Sequence, residues 1–216
     1  MTTIKMCGIT RIEDAIMAAD LGVHAVGFIL WAGSPRHVAI DNVARMVSAL
    51  PPFVTPVGVF VSPTAEEVAR AVANGIGVAQ IHGDLPAWPG GRPPARILRA
   101  VRLGRGGQAT LEPAVAPAVP VLLDAQDESL HGGTGKTVDW HRAAAVARTR
   151  VVVLAGGLTP ANVGDAVGIV KPYAVDVASG VEASPGVKDH ERMRRFVDSV
   201  RRADVEGWSS TVEEIL

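Results

Sequence analysis

Short apolar runs rich in β-branched residues alternate along this chain with longer, Ala-rich stretches whose apolar positions recur at helical spacing. The runs occupy residues 3–9, 24–30, 55–61, 78–82, 95–103, 120–124, 150–155 and 174–178. Val151-Val152-Val153-Leu154 and Val57-Gly58-Val59-Phe60-Val61 have no polar face. A strand apolar on both sides is buried on both, as in a parallel sheet covered by helices. The intervening stretches predict helices at 11–21, 39–50, 64–74, 138–148, 160–167 and 189–202. Thr10 followed by Glu13 reads as a capping box, and Gly22 as the left-handed residue ending the first helix. Two connections depart from the pattern. Residues 84–94, DLPAWPGGRPP, hold four prolines and exclude a regular helix, and the fifth connection is broken by Pro113 and Pro117.

Eight strands, each followed by a crossover at a spacing of roughly 25 residues, predict an α/β fold, the (β/α)8 or TIM barrel. An open doubly wound sheet would bring five or six strands and a glycine fingerprint after the first. The barrel is expected to occupy residues 1–202 as a single domain, with an irregular fourth and a short fifth connection. Residues 203–216, ADVEGWSSTVEEIL, form a C-terminal extension to which the sequence assigns no role.

Composition sharpens this picture. Of 216 residues, 48% are hydrophobic but only 4% aromatic, so the core is built from Val, Ala, Ile and Leu, and general disorder is excluded. A net charge of -1 argues against a nucleic-acid partner, and the basic segment at 192–202 reads as a solvated helix face. No run is apolar enough to cross a bilayer, and MTTIKMCGIT lacks a secretory pattern, so no membrane partner is expected. One cysteine makes no internal disulfide, and the expected location is cytoplasmic. The sequence leaves the oligomeric state undetermined.

In such barrels the reacting groups come from the C-terminal ends of the strands and the loops that follow. Gly156-Gly157 after the seventh strand and Ser179-Gly180 after the eighth are small, glycine-rich turns at the fold's usual phosphate site. A phosphorylated small molecule is therefore the expected ligand. Residues 132–137, GGTGKT, resemble the end of a P-loop, but Leu130 stands where that motif needs a glycine. They are expected to form a loop over the site, with the Gly133 N–H turned to the ligand. Cys7 and Asp124 each end a strand. Alone, either reads as well as a buried small hydrophobe or a paired carboxylate as it does a reacting group; together at one barrel mouth they favour chemistry. No zinc spacing accompanies Cys7 or His82, so neither metal nor cofactor is expected.

Lys5-Met6-Cys7-Gly8-Ile9-Thr10, Gly27-Phe28, Ser34-Pro35-Arg36, Gln80-Ile81-His82-Gly83, Asp124 and Gly132-Gly133-Thr134-Gly135 occur in order. Ala155-Gly156-Gly157-Leu158, Asp176 and Ser179-Gly180-Val181-Glu182 complete the series. Together, over residues 4–196, they resemble the phosphoribosylanthranilate isomerase family of tryptophan biosynthesis. The resemblance implies a cofactor-free Amadori rearrangement of a phosphorylated aminosugar. It makes Asp124 the general acid that opens the ring, Cys7 the general base, and Arg36 the group that holds the anthranilate carboxylate. Gly133, Gly156, Gly157, Ser179 and Gly180 would surround the phosphate. Lys5, His82 and Asp176 rank behind them, as groups that orient the site or support it. Trp31-Ala32-Gly33 and the proline-rich fourth connection depart from the family pattern. Rival phosphate-binding barrels would need acidic metal ligands for a diphosphate or paired histidines, and a non-catalytic sugar-phosphate sensor would not need both Cys7 and Asp124.

Overall fold

In a computed structural model that describes residues 1–103, 110–116, 119–124 and 140–213, each predicted run contains one barrel strand. These are β1 (Thr3–Cys7), β2 (Ala25–Ile29), β3 (Thr55–Val61), β4 (Val78–His82) and β5 (Arg96–Leu103), then, after the two-residue β6 (Leu111–Glu112), β7 (Val121–Asp124), β8 (Val152–Ala155) and β9 (Ala174–Val177). All eight barrel strands run parallel, and β1 pairs with both β2 and β9 while β4 pairs with β5, so the sheet closes on itself. β6 lies antiparallel on the edge of β5. The helices are α1 (Ile12–Asp20), α2 (Ile40–Val47), α3 (Ala65–Ala73), α4 (Trp140–Ala147), α5 (Val163–Val170) and α6 (His190–Glu213). Among the described residues the fourth connection holds only a 3-10 turn, Pro89–Gly91, and the fifth only β6, as the prolines require.

Alternation along each strand divides the side chains between two compartments. Ile4, Met6, Phe28, Ile81, Leu123, Leu154 and Val175 face outward into the layer shared with the helices. Ala100, Leu122, Val153, Ala155 and Ala174 face inward, where Leu98 joins them in a smaller cluster that fills the bore. This explains why the runs lack a polar face: both compartments are closed to water, and a fully buried Leu or Val contributes about 1.5–3 kcal/mol. None of the described helices is long and apolar enough to cross a membrane.

Two expectations about helix ends are corrected. The capping box at Thr10 does not form: Arg11 occupies the N-cap of α1 without a side-chain bond, and the Thr10 hydroxyl donates instead to the Gly186 carbonyl in the last loop. Glu13 pairs with Arg11 at 2.7 Å. A tertiary partner has won over a local one. The box that does form lies at α3, where Thr64 N donates to Glu67 at 2.7 Å and Glu67 N donates to the Thr64 hydroxyl at 3.2 Å. Gly22 adopts φ +75°, as expected of the residue that ends α1. The last helix does not stop near 202 but continues to Glu213. Within it the Asp204 carboxylate accepts from Thr2 N at 2.8 Å and from the Thr2 hydroxyl at 2.7 Å, fastening the chain's start to α6.

Candidate active site

β1 carries the first part of the site. Lys5 and Cys7 alternate with outward-facing Ile4 and Met6, so both point into the bore, where they are 3% and 6% exposed. The neighbouring residue on β2, in register with Cys7, is Gly27. A Cβ there would lie 2.7 Å from Cys7 Sγ and 3.1 Å from Lys5 Nζ, so the missing side chain is the space that lets thiol and ammonium lie together. Lys5 Nζ donates to Asp176 of β9 at 2.9 Å, and both partners are buried. Burial alone would lower the Lys5 ammonium, but Asp176 and Cys7 outweigh it and hold it above its ordinary value. The Cys7 thiol is pushed up by burial, with Lys5 and Lys188 pulling the other way and Asp176 adding to the rise.

That direction fixes a pH dependence. A raised thiol releases its proton only above the ordinary range near pKa ~8.5, so in the free protein thiolate accumulates as pH rises past that value. Because Cys7 is the chain's single cysteine, iodoacetamide labelling reads it alone. The labelling rate, corrected for access in urea-unfolded protein, is expected to show a midpoint above that of the unfolded chain. A midpoint at or below it would contradict the dry setting described here.

A second cluster stands at the rim beside the first. Arg36 follows β2 in a turn where its backbone N–H donates to Ser34 Oγ at 3.1 Å. Its stem crosses Gly8, with Cδ 2.7 Å from where a Cβ on that glycine would stand. The guanidinium grips Glu182: Nε donates to Oε1 at 2.8 Å and to Oε2 at 3.1 Å, and Nη2 to Oε2 at 2.7 Å. Glu182 opens a small hairpin of β10 (Glu182–Ser184) and β11 (Val187–Lys188). Lys188 Nζ donates to Glu182 Oε1 at 3.0 Å and to the Ala178 carbonyl at 3.0 Å. Burial alone would raise the Glu182 carboxyl, yet Arg36 and Lys188 bring it below its ordinary value. Sequence reasoning quoted Glu182 within a motif but gave it no role, and it missed Lys188 altogether. The one signal was a carboxylate placed directly after a run of small residues at a strand end.

Opposite these, Asp124 ends β7 on the same face as inward-facing Leu122, half-buried at the mouth. His82, at the end of β4, is held below the ordinary imidazole value by burial, with Asp124 opposing. Gln80 Nε2 lies 3.0 Å from His82 Nε2. Gln80 Oε1 is buried without a hydrogen-bond partner among the described residues.

The two glycine loops meet. Gly156 and Gly157 take φ +94° and +62°, and Asn162 braces their turn by accepting from Thr159 N at 2.7 Å and donating to Gly157 O at 3.0 Å. Ser179 and Gly180 form a 3-10 turn with Val181. A Cβ at Gly180 would lie 1.9 Å from the Leu158 carbonyl oxygen, so only glycine lets the loops approach this closely. No hydrogen bond among the described residues engages the N–H of Gly157, Ser179 or Gly180. Gly133 and the loop at 132–137 lie outside the described residues.

Comparisons with known proteins bear on the family of the whole chain. A family model described as N-(5'phosphoribosyl)anthranilate (PRA) isomerase matches residues 4–199. An N-(5'-phosphoribosyl)anthranilate isomerase of Pseudomonas aeruginosa strain UCBPP-PA14 is 48% identical over 202 residues, 92% of this chain and 94% of that relative. One from Geobacter sp. strain M21 is 43% identical over 203 residues, 94% of this chain and 99% of that protein. The crystal structure of the Thermotoga maritima phosphoribosyl anthranilate isomerase superposes with a TM-score of 0.79 at 34% identity, covering 94% of this chain and all 100% of that one. A further isomerase structure, in complex with reduced 1-(o-carboxyphenylamino)-1-deoxyribulose 5-phosphate, gives a TM-score of 0.76 at 32% identity, over 94% of this chain and 100% of that one.

Proposed function

The chain belongs to the N-(5'-phosphoribosyl)anthranilate isomerase family, and from that premise we propose that Cys7 and Asp124 are its base and acid, Arg36 its carboxylate site and the glycine loops its phosphate site. It is an isomerase of this type. Its substrate is a small phosphorylated molecule, N-(5'-phosphoribosyl)anthranilate, which it converts to 1-(2-carboxyphenylamino)-1-deoxyribulose 5-phosphate. The observation that carries the assignment is the shared compartment: Cys7, beside a buried ammonium, and Asp124 both project into the bore at the end where the glycine loops meet.

The chemistry follows from those positions. Asp124 in its acid form gives a proton to the furanose ring oxygen. The bond from that oxygen to C1 breaks, and the anilino nitrogen supplies its lone pair to form a protonated imine. That cation acidifies the C2–H, so a side chain of modest basicity can remove the proton. The Cys7 thiolate takes it, and the C2–H electron pair becomes the double bond of an enolamine. Proton return to C1 and loss of the C2 hydroxyl proton give the ketone. Lys5, kept charged by Asp176, stabilises the thiolate when it forms. The substrate's positive imine adds a second charge in a compartment shielded from water, where such effects are strong. The N–H groups of Gly157, Ser179 and Gly180, which no hydrogen bond engages among the described residues, suit a phosphate, with α5 beginning just beyond Asn162.

The carboxylate assignment is tested by Arg36→Lys. A lysine cannot reproduce two parallel hydrogen bonds to one carboxylate. KM is expected to rise by about tenfold, on the scale of one charge-assisted hydrogen bond, with a smaller change in kcat. Consumption of fluorescent phosphoribosylanthranilate measures both. An unchanged KM would place the carboxylate elsewhere.

A further inference from the structure

We propose that Glu182 is a positioning residue for carboxylate recognition: it takes the Nε–Nη2 edge of the Arg36 guanidinium and thereby presents the remaining Nη1–Nη2 edge to the anthranilate carboxylate. The inference deepens the reading above and rests on Arg36 as the carboxylate site.

A guanidinium offers five N–H groups in a rigid plane, arranged as two edges that can each accept a carboxylate in bidentate fashion. Glu182 fills one of them with three short contacts from Nε and Nη2. Nη1 and the second Nη2 hydrogen take no part in that pairing. Glu182 is 6% exposed, whereas the Arg36 side chain keeps 21% of its surface in contact with solvent, so the occupied edge is the inner one. The acceptor is itself fixed. Oε1 receives Lys188 Nζ at 3.0 Å and Gly186 N at 3.4 Å, both from the hairpin that carries Glu182. The hairpin is in turn held to α1, where Asp14 accepts from Lys188 N at 3.2 Å. A long side chain with four torsions is thus clamped by a group whose own freedom is removed by the Lys188 ammonium and the Gly186 backbone.

Charge supports the same assignment. A lone Arg–Glu pair would be neutral and would gain little from a second carboxylate. Here one carboxylate lies between two cations, Arg36 and Lys188, leaving a unit of positive charge beside the thiol. An incoming carboxylate is therefore attracted rather than turned away by Glu182. Arg36 approaches the reacting group closely through its stem over Gly8, the residue after Cys7, so fixing the fork also fixes the distance from carboxylate to base.

The test measures a preference rather than activity alone. Two probes are titrated calorimetrically into the full chain: reduced 1-(2-carboxyphenylamino)-1-deoxyribulose 5-phosphate, and its phenylamino counterpart without the ring carboxylate. Wild type is expected to favour the first. Glu182→Gln, similar in size and uncharged, is expected to cut that preference about tenfold while the affinity for the second probe stays within about twofold, since only a charge-assisted contact is altered. In turnover KM rises more than kcat falls. A role confined to holding the hairpin would weaken both probes together and would overturn the proposal. Arg36→Lys separates the two layers: if it abolishes the preference and Glu182→Gln does not, the proposal fails and the Arg36 reading stands. If Arg36→Lys leaves the preference intact, both fail. Should Glu182→Gln not fold, Glu182→Asp carries the test with a smaller expected drop, about threefold, because the charge is kept but drawn back by one methylene. An unchanged preference in that variant overturns the proposal.

Discussion

Replacing Cys7 by serine is expected to lower kcat at least ~100-fold without unfolding the protein, the usual scale for losing general base catalysis. Serine is nearly isosteric, so the space cleared by Gly27 still fits it and the packing around Met6 is untouched. Its hydroxyl, however, holds its proton far above any working pH, so it offers no base to the C2–H. The buried thiol is already held up by its surroundings, and in the proposed chemistry the Lys5 ammonium and the substrate's own positive charge favour the thiolate. Asp124→Asn is expected to act equally strongly by the opposite route, since an amide cannot protonate a ring oxygen. The decisive measurement is single-turnover kinetics alongside circular dichroism and urea melts. Native-like turnover in either variant, with the fold intact, removes that residue from the mechanism.

The second large effect concerns Lys5 and Asp176, which are deeply buried and pair at 2.9 Å. Taking away either partner leaves an uncompensated charge in the bore, at a cost of about 3–5 kcal/mol. Lys5→Met and Asp176→Leu alone should therefore shift urea midpoints sharply. Buried ion pairs replaced together by apolar residues of similar volume are often neutral or stabilising. Lys5→Met/Asp176→Leu is accordingly expected to recover most of the lost stability while turnover stays low, because the thiol then has lost its nearest cation. If the double variant regains both, the pair serves the barrel alone.

Which parts of this were legible in the sequence follows from how local each signal is. Strands such as Val151-Val152-Val153-Leu154 announce themselves because two closed compartments demand apolar side chains on both faces. The prolines of 84–94 announce the missing helix by removing N–H donors. Lys5 and Cys7 were readable from alternation alone, since their spacing of two places them on one face. The Thr10 capping box failed because its hydroxyl found Gly186, 176 positions away, and no local pattern registers such a partner. Glu182 escaped for the same reason, since the fork it holds lies 146 positions earlier in the chain. Lys188 meets Glu182 only 6 positions away, across a short hairpin that the apolar pattern did not announce. The Arg36–Glu182 pairing is a property of closure.

Closure itself has a further consequence. A ring built from an open chain must have a seam where the ends meet, and here that seam is the β1–β9 border. Thr2 with Asp204, Thr10 with Gly186 and Asp14 with His190 all stitch across it, and so does Lys5 with Asp176. The line that joins the chain's first and last barrel strands is thereby the line along which the Cys7 thiol meets Lys5 and Asp176. Fraying at the termini, harmless in most proteins, is here expected to reach the proposed base while the rest of the wall still stands.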